Sequence, residues 1–147
     1  PFSIPHDAAQ PTGFSLTCGG KKGSVMTDLG HTTKDLLSWV EGSDVMLLEA
    51  NHDIQMLRDG SYPERLKRRI LSNKGHLSND ACGMALTDLI NCGTRHAYLG
   101  HLSEENNVPE LAYSTVAHIL ETIGAKVGSD VELRMTFPDH AAEPISL

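Results

Sequence analysis

Eight histidines stand in this chain of 147 residues, several beside Asp, Ser, Asn or Gly instead of inside apolar runs. Neutral imidazole binds metals and moves protons near neutral pH, so histidines in polar surroundings mark a candidate site. His6, Asp28, Glu49, His76 and His101 each fall at the end of a predicted segment. His and Asp supplied singly from successive loops can hold hard or borderline divalent cations with positions left open for water. Two motifs are sharper. Gly75-His76-Leu77-Ser78-Asn79 sets a histidine, a hydroxyl and an amide at the start of a helix, where free backbone N–H groups and the helix dipole favour an anion such as phosphate. Gly100-His101-Leu102-Ser103-Glu104-Glu105-Asn106-Asn107 repeats His-Leu-Ser just after a strand. Ser78, Asn79, Ser103 and Asn106 are thus candidate phosphate contacts. Helix capping explains the Ser and Asn residues equally well, but not the two histidines.

The elements that must carry these residues follow from hydrophobic period. Phe2 and Ile4, then Gly13 to Leu16, alternate as strands, and Gly19-Gly20 turns the chain into a third strand, Gly23 to Thr27. Thr32 with Asp35 reads as a capping box for a helix through Val40, with Leu36, Trp39 and Val40 on its apolar stripe. Asp44 to Glu49 reads as a buried strand, because Val45 to Leu48 shows no alternation. Asp53 and Pro63 open two short helices, Gly75 interrupts, and Ser78, Asn79 or Asp80 caps a helix through Asn91 closed by Cys92-Gly93. The strand His96 to Leu99, the helix from Pro109 to a stop at Gly124, and the strand Val131 to Phe137 complete an α/β layered domain.

Composition limits the function classes. A net charge of -7 with 39% hydrophobic and 5% aromatic residues describes one mildly acidic globular domain and argues against tight non-specific nucleic-acid binding. No apolar run approaches the roughly 20 residues that cross a bilayer, and no signal peptide opens the sequence, so no membrane is expected. Cys18, Cys82 and Cys92 are odd in number and form no CxxC pair, which fits a reducing cytoplasm and buried apolar roles rather than a disulfide framework. Arg65, Lys67, Arg68 and Arg69, with Arg58 and Lys74 nearby, are either a solvated helix face or a track for a nucleic-acid backbone, and Tyr62 could stack on a base. His31 is a candidate to line the Asp28 loop. His96 and His118 read as structural, and nothing decides His140.

The series Ile4-Pro5-His6-Asp7, Gly13-Phe14, Thr27-Asp28-Leu29-Gly30, Leu48-Glu49-Ala50-Asn51-His52-Asp53, Gly75-His76-Leu77-Ser78-Asn79 and His101 to Asn107 resembles the metallo-β-lactamase-fold hydrolases. Within them it is similar to the YycJ/WalJ branch, nuclease-like bacterial proteins related to ribonuclease Z and ribonuclease J. The resemblance implies an αβ/βα sandwich with two divalent metal ions, zinc or manganese, and a hydroxide held between them that attacks a phosphodiester, DNA being favoured. It implies metal ligation by His6, Asp28 and His101, with Asp28 bridging, and places His76 as a non-ligand proton or hydrogen-bond donor. Glu49 and His52 would support the site or contact substrate. The HxHxDH signature of that family is absent, and in the family it lies N-terminal to everything seen here. Residues 1–147 are therefore expected to be a single partial domain, the C-terminal half of the fold, inactive without its N-terminal half. A lactonase, thioesterase or lactamase on the same fold, or a metal-free binding module, are the rival expectations.

Overall fold

The computed structural model describes residues 1–147. Its centre is a six-stranded sheet in the order β1-β2-β3-β4-β5-β6. β1 (Phe2–Ser3), β2 (Thr12–Cys18) and β3 (Lys21–Met26) pair antiparallel, and β4 (Val45–Glu49), β5 (His96–Gly100) and β6 (Glu132–Met135) continue parallel from β3. This is the predicted order of three strands followed by alternating helix and strand. The parallel crossovers carry α1 (Lys34–Ser38), then α2 (Ile54–Asp59), α3 (Glu64–Ile70) and α4 (Asn79–Asn91), and finally α5 (Pro109–Thr122).

Local chemistry explains the helix ends. Thr33, not Thr32, caps α1 by accepting from the Leu36 N–H, so the capping box begins one residue later than the pattern suggested. Asp53 caps α2 through the Met56 N–H, and Ser78 caps α4 through the Ala81 N–H. Pro109 opens α5, where its missing N–H costs nothing. Cys82, Ala85, Leu86 and Leu89 of α4 and Ala112, Val116 and Leu120 of α5 share helical faces and bury against Met26, Met46, Leu48, Ala97, Leu99 and Leu133 of the sheet. Leu36 joins that core, but Trp39 does not: it is 59% exposed and stacks on Phe2, with ring centroids 6.1 Å apart. The five-residue helix ends at Ser38, so its stripe is too short to carry Trp39 inward.

The two faces of the sheet differ. Cross-strand neighbours Phe14, Val25, Leu47 and Tyr98 point to the face opposite the helices, with Leu16 and Val45 beside them. Phe14 is 49% and Leu16 70% exposed there. At the β6 end the irregular C-terminal segment lies nearby, because Tyr98 Oη donates to the Glu143 carbonyl and Arg134 donates to those of Glu143 and Pro144. His140 stacks on Phe137 in that segment and bonds Asp139. No helix is long and apolar enough to cross a membrane.

Candidate metal centre

Parallel strands aim their carboxyl ends at one edge, where α/β proteins bind ligands. Here β3, β4 and β5 deliver Asp28, Glu49 and His101 to that edge. His6, after β1, and His76, before α4, arrive on loops sewn to the same place. Gly30 N–H donates to the Pro5 carbonyl, Asp7 N–H to that of Lys74, and His76 N–H to that of Ile70. The fit requires Gly75, since a Cβ there would strike the Ile70 carbonyl. A Cβ at Gly30 would equally strike the Asn73–Lys74 peptide.

Glu49 joins these loops. Its side chain is fully buried and accepts four hydrogen bonds: Oε1 from His76 Nδ1 (2.8 Å) and His101 Nδ1 (2.5 Å), Oε2 from the N–H groups of Leu29 (3.0 Å) and Leu77 (3.1 Å). Burial pushes this carboxyl up, but the bonds from His101 and His76 outweigh it and hold the group down to about 2. The same bond raises the His101 imidazole against its own burial. With all its lone-pair directions engaged, Glu49 orients imidazoles instead of meeting an ion directly.

The imidazoles surround Asp28. Its Oδ1 lies 3.7 Å from His6 Nε2, 3.6 Å from His101 Nε2 and 3.7 Å from His76 Nδ1. None of these contacts is a hydrogen bond. Those to His6 Nε2 and His101 Nε2 come close to the edge between neighbouring donors in a shell of roughly 2.1 Å metal–ligand bonds, whereas His76 Nδ1 is engaged with Glu49. His6 donates through Nδ1 to the Gly75 carbonyl (2.9 Å), which leaves Nε2 facing Asp28 with its lone pair, the tautomer a metal requires. One oxygen or nitrogen from each of Asp28, Glu49, His76 and His101 falls within 4.8 Å of the others. Asp28 and His101 also share a backbone oddity, φ of +59° and +57°, a left-handed conformation uncommon outside glycine and found at functional sites. The donor set and its spacing fit a divalent cation.

The structure thus brings together His6, Asp28, Glu49, His76 and His101, and sets other candidates apart. His31 donates to the Asn73 carbonyl (2.9 Å) and lines a separate depression with Pro5 and Trp39. His52 is 1% exposed, burial pushes its imidazole down to about 4, and neither ring nitrogen has a partner, so it lies behind the site and cannot touch substrate. Asn79 is wholly buried in a reciprocal amide pair with Asn107 (3.0 and 2.9 Å), and Ser78 is spent on capping. Asn79 has no accessible surface and Ser78 only 7%, so both have an architectural role in this structure, with the Ser78 hydroxyl engaged as an acceptor in the cap. Asn106 is likewise 1% exposed, and its amide points at Ser103 Oγ (3.4 Å). Ser103 alone of the four borders the open cleft beside His76 and His101.

Two partners were not legible in the sequence. Asn51 Nδ2 donates to the His101 carbonyl (2.8 Å), holding the left-handed turn from behind. Arg69 grips Asp7 through Nε (2.5 Å) and Nη2 (2.8 Å), lowering that carboxyl, while Asp7 Oδ1 lies 3.6 Å from His6 Nε2. The basic run therefore splits: Lys67 is buried and bonds the Arg58 carbonyl, Arg69 is paired, and Arg65 and Arg68 are exposed. The pairs are 50 and 62 residues apart, and only fold geometry joins them.

No family model matches the chain. It is 39% identical over 137 residues to "Exodeoxyribonuclease YycJ" of Bacillus anthracis and 41% identical over 140 residues to "Exodeoxyribonuclease WalJ" of Streptococcus pneumoniae, matches that take in 93% and 95% of this chain and 52% of each relative. The chain spans about half the length of the curated relatives it matches. Among solved structures it is similar to the metallo-β-lactamase fold protein YhfI of Bacillus subtilis (TM-score 0.62, 13% identity, 91% of this chain and 44% of that one). It is also similar to zinc-bound PqqB of Methylobacterium extorquens (TM-score 0.58, 17% identity, 99% and 45%). The chain thus has the metallo-β-lactamase fold and is similar in sequence to YycJ and WalJ over about half of their length.

Proposed function

We propose that this chain supplies one half of the active centre of a divalent-metal-dependent phosphodiesterase that removes nucleotides from DNA. The observation that carries the reading is the convergence of His6, His101 and His76 on one oxygen of Asp28, with Glu49 locked behind two of the rings. The names of the relatives, exodeoxyribonucleases both, support the choice of substrate.

In this reading His6, Asp28 and His101 would hold divalent metal, zinc or manganese. Such ions supply Lewis acidity to phosphoryl oxygens and acidify water. His76 keeps Nδ1 on Glu49 and so presents Nε2, from which a protonated ring gives a proton to the departing oxygen. Glu49 stays ionised and stabilises that imidazolium. The remaining ligands come from residues outside this sequence, and the open sheet face around Phe14 and Leu16 is where that half packs. A cytoplasmic setting belongs to the same proposal.

The test uses the full-length protein. Chelator-sensitive hydrolysis of DNA ends and of bis-p-nitrophenyl phosphate, reduced about a hundredfold or more in Asp28→Asn, is expected. Preference for a lactam, lactone or thioester would overturn the nuclease reading, and unchanged hydrolysis in Asp28→Asn would overturn the metal reading.

A further inference from the structure

Beside the histidines, α3 and the 101–105 loop enclose a cleft whose inner end is formed by His76 and His101. Its walls are chemically unlike. Tyr62, Leu66 and Ile70 make the α3 side aromatic and aliphatic, whereas the opposite wall ends in Glu104 and Glu105. Arg69 stands on the α3 side. A guanidinium carries five N–H donors, and Asp7 takes two of them, so Arg69 keeps three for another acceptor while being held in place. Arg65 and Arg68 add exposed positive charge along the same short helix.

These contrasts fix what can lie in the cleft and how. A phosphate is repelled by Glu104 and Glu105 and attracted to the α3 wall. A flat apolar group finds its partner in the partly buried ring of Tyr62, with Leu66 beside it. The geometry points to this cleft as the seat of the terminal nucleotide of a DNA strand, its base stacked on Tyr62 and a flanking phosphate on the free N–H groups of Arg69. Every base has a π-face, so such a seat accepts any sequence, as removal of successive nucleotides requires. The inference rests on the phosphodiesterase reading above and adds to it the residues that hold the strand end.

The experiment compares oligonucleotides with ordinary ends against ones carrying a tetrahydrofuran abasic residue at the 5′ or 3′ terminus, using the full-length protein. Wild type is expected to show a lower KM for the ordinary end at one terminus. Tyr62→Ala and the bulkier Tyr62→Leu raise that KM about 5- to 150-fold and erase the preference, while Tyr62→Phe keeps it. Rates on bis-p-nitrophenyl phosphate report whether each variant retains a working centre. Arg69→Gln lowers the slope of log KM against log salt by about one. A wild type indifferent to the abasic end overturns the proposal. So do Tyr62 variants that lose both DNA substrates equally or change neither. Asp28→Asn is the separate control: if it leaves bis-p-nitrophenyl phosphate hydrolysis intact, the metal reading fails whatever Tyr62 does.

Discussion

His101 Nδ1 lies 2.5 Å from Glu49 Oε1, and this contact turns the opposite ring nitrogen, Nε2, to within 3.6 Å of Asp28. Because His76 Nδ1 meets the same oxygen, one buried carboxylate sets the tautomer and aim of two imidazoles from loops 25 residues apart in sequence. A carboxamide cannot replace it: glutamine has one acceptor oxygen, whereas both ends of Glu49 receive donors. Glu49→Gln in the full-length protein is expected to weaken zinc binding about 10- to 100-fold and to destabilise the fold by about 2–4 kcal/mol. Calorimetric zinc titration and thermal melting check the two effects.

Acid stability separates Glu49 from His52. Burial drives the His52 imidazole from 6.5 down to about 4, so the fold holds it neutral. The associated stability is complete above about pH 6.5 and is lost as pH falls toward 4, up to about 3 kcal/mol. Glu49 is depressed from 4.5 to about 2, and its contribution is complete above about pH 4.5 and is lost toward pH 2. His101 runs the other way: its raised value contributes below the ordinary imidazole range and fades as pH rises through the folded value. Melting the metal-free protein from pH 8 to 3 is expected to show loss beginning below 6.5. His52→Leu, close in volume and without orphaned nitrogens, should flatten the slope between 6.5 and 4 only.

The left-handed backbone of Asp28 carries a cost that substitution can reveal. Its φ of +59° disfavours alanine by roughly 1–2 kcal/mol and does not disfavour glycine. Both variants remove the carboxylate, so the comparison isolates the backbone. Asp28→Gly is expected to melt above Asp28→Ala by a few degrees, and equal melting temperatures would contradict the strain.

Asn79 tests the architectural role assigned to it. Its amide and that of Asn107 satisfy each other where no water reaches, and Asn107 also donates to the Ala50 carbonyl (2.9 Å), beside Glu49. Asn79→Ala removes both bonds of that pair and leaves one Asn107 N–H without a partner in the interior, although the bonds to Ala50 and from the Val108 N–H remain. A loss of about 1–3 kcal/mol is expected from thermal or urea unfolding.

The strands and helices were legible because their periods are local: the unbroken apolar run of β4 and the 3.6-residue spacing of α4 and α5 reappear where expected. The histidines and Asp28 were legible because polar residues at strand ends have few packing reasons to be there. Glu49 was legible as a participant but not as the residue that joins the loops, since that depends on three loops meeting in space. Ser78 and Asn79 were ambiguous for the opposite reason: a phosphate-binding turn and a helix cap use the same residue types, and burial was not legible in the sequence. Trp39 fell on a helical stripe that the chain abandons after five residues. The Asp7–Arg69 pair left no pattern in sequence at all.

The proposed role of Asp28, ringed by His6, His76 and His101, is to hold divalent metal. Native mass spectrometry of the full-length protein, with and without Asp28→Ala, tests it most directly. Two divalent ions on the wild type and at most one on the variant are the predicted result. Two ions on both, or none on a folded wild type supplied with zinc or manganese, would contradict it.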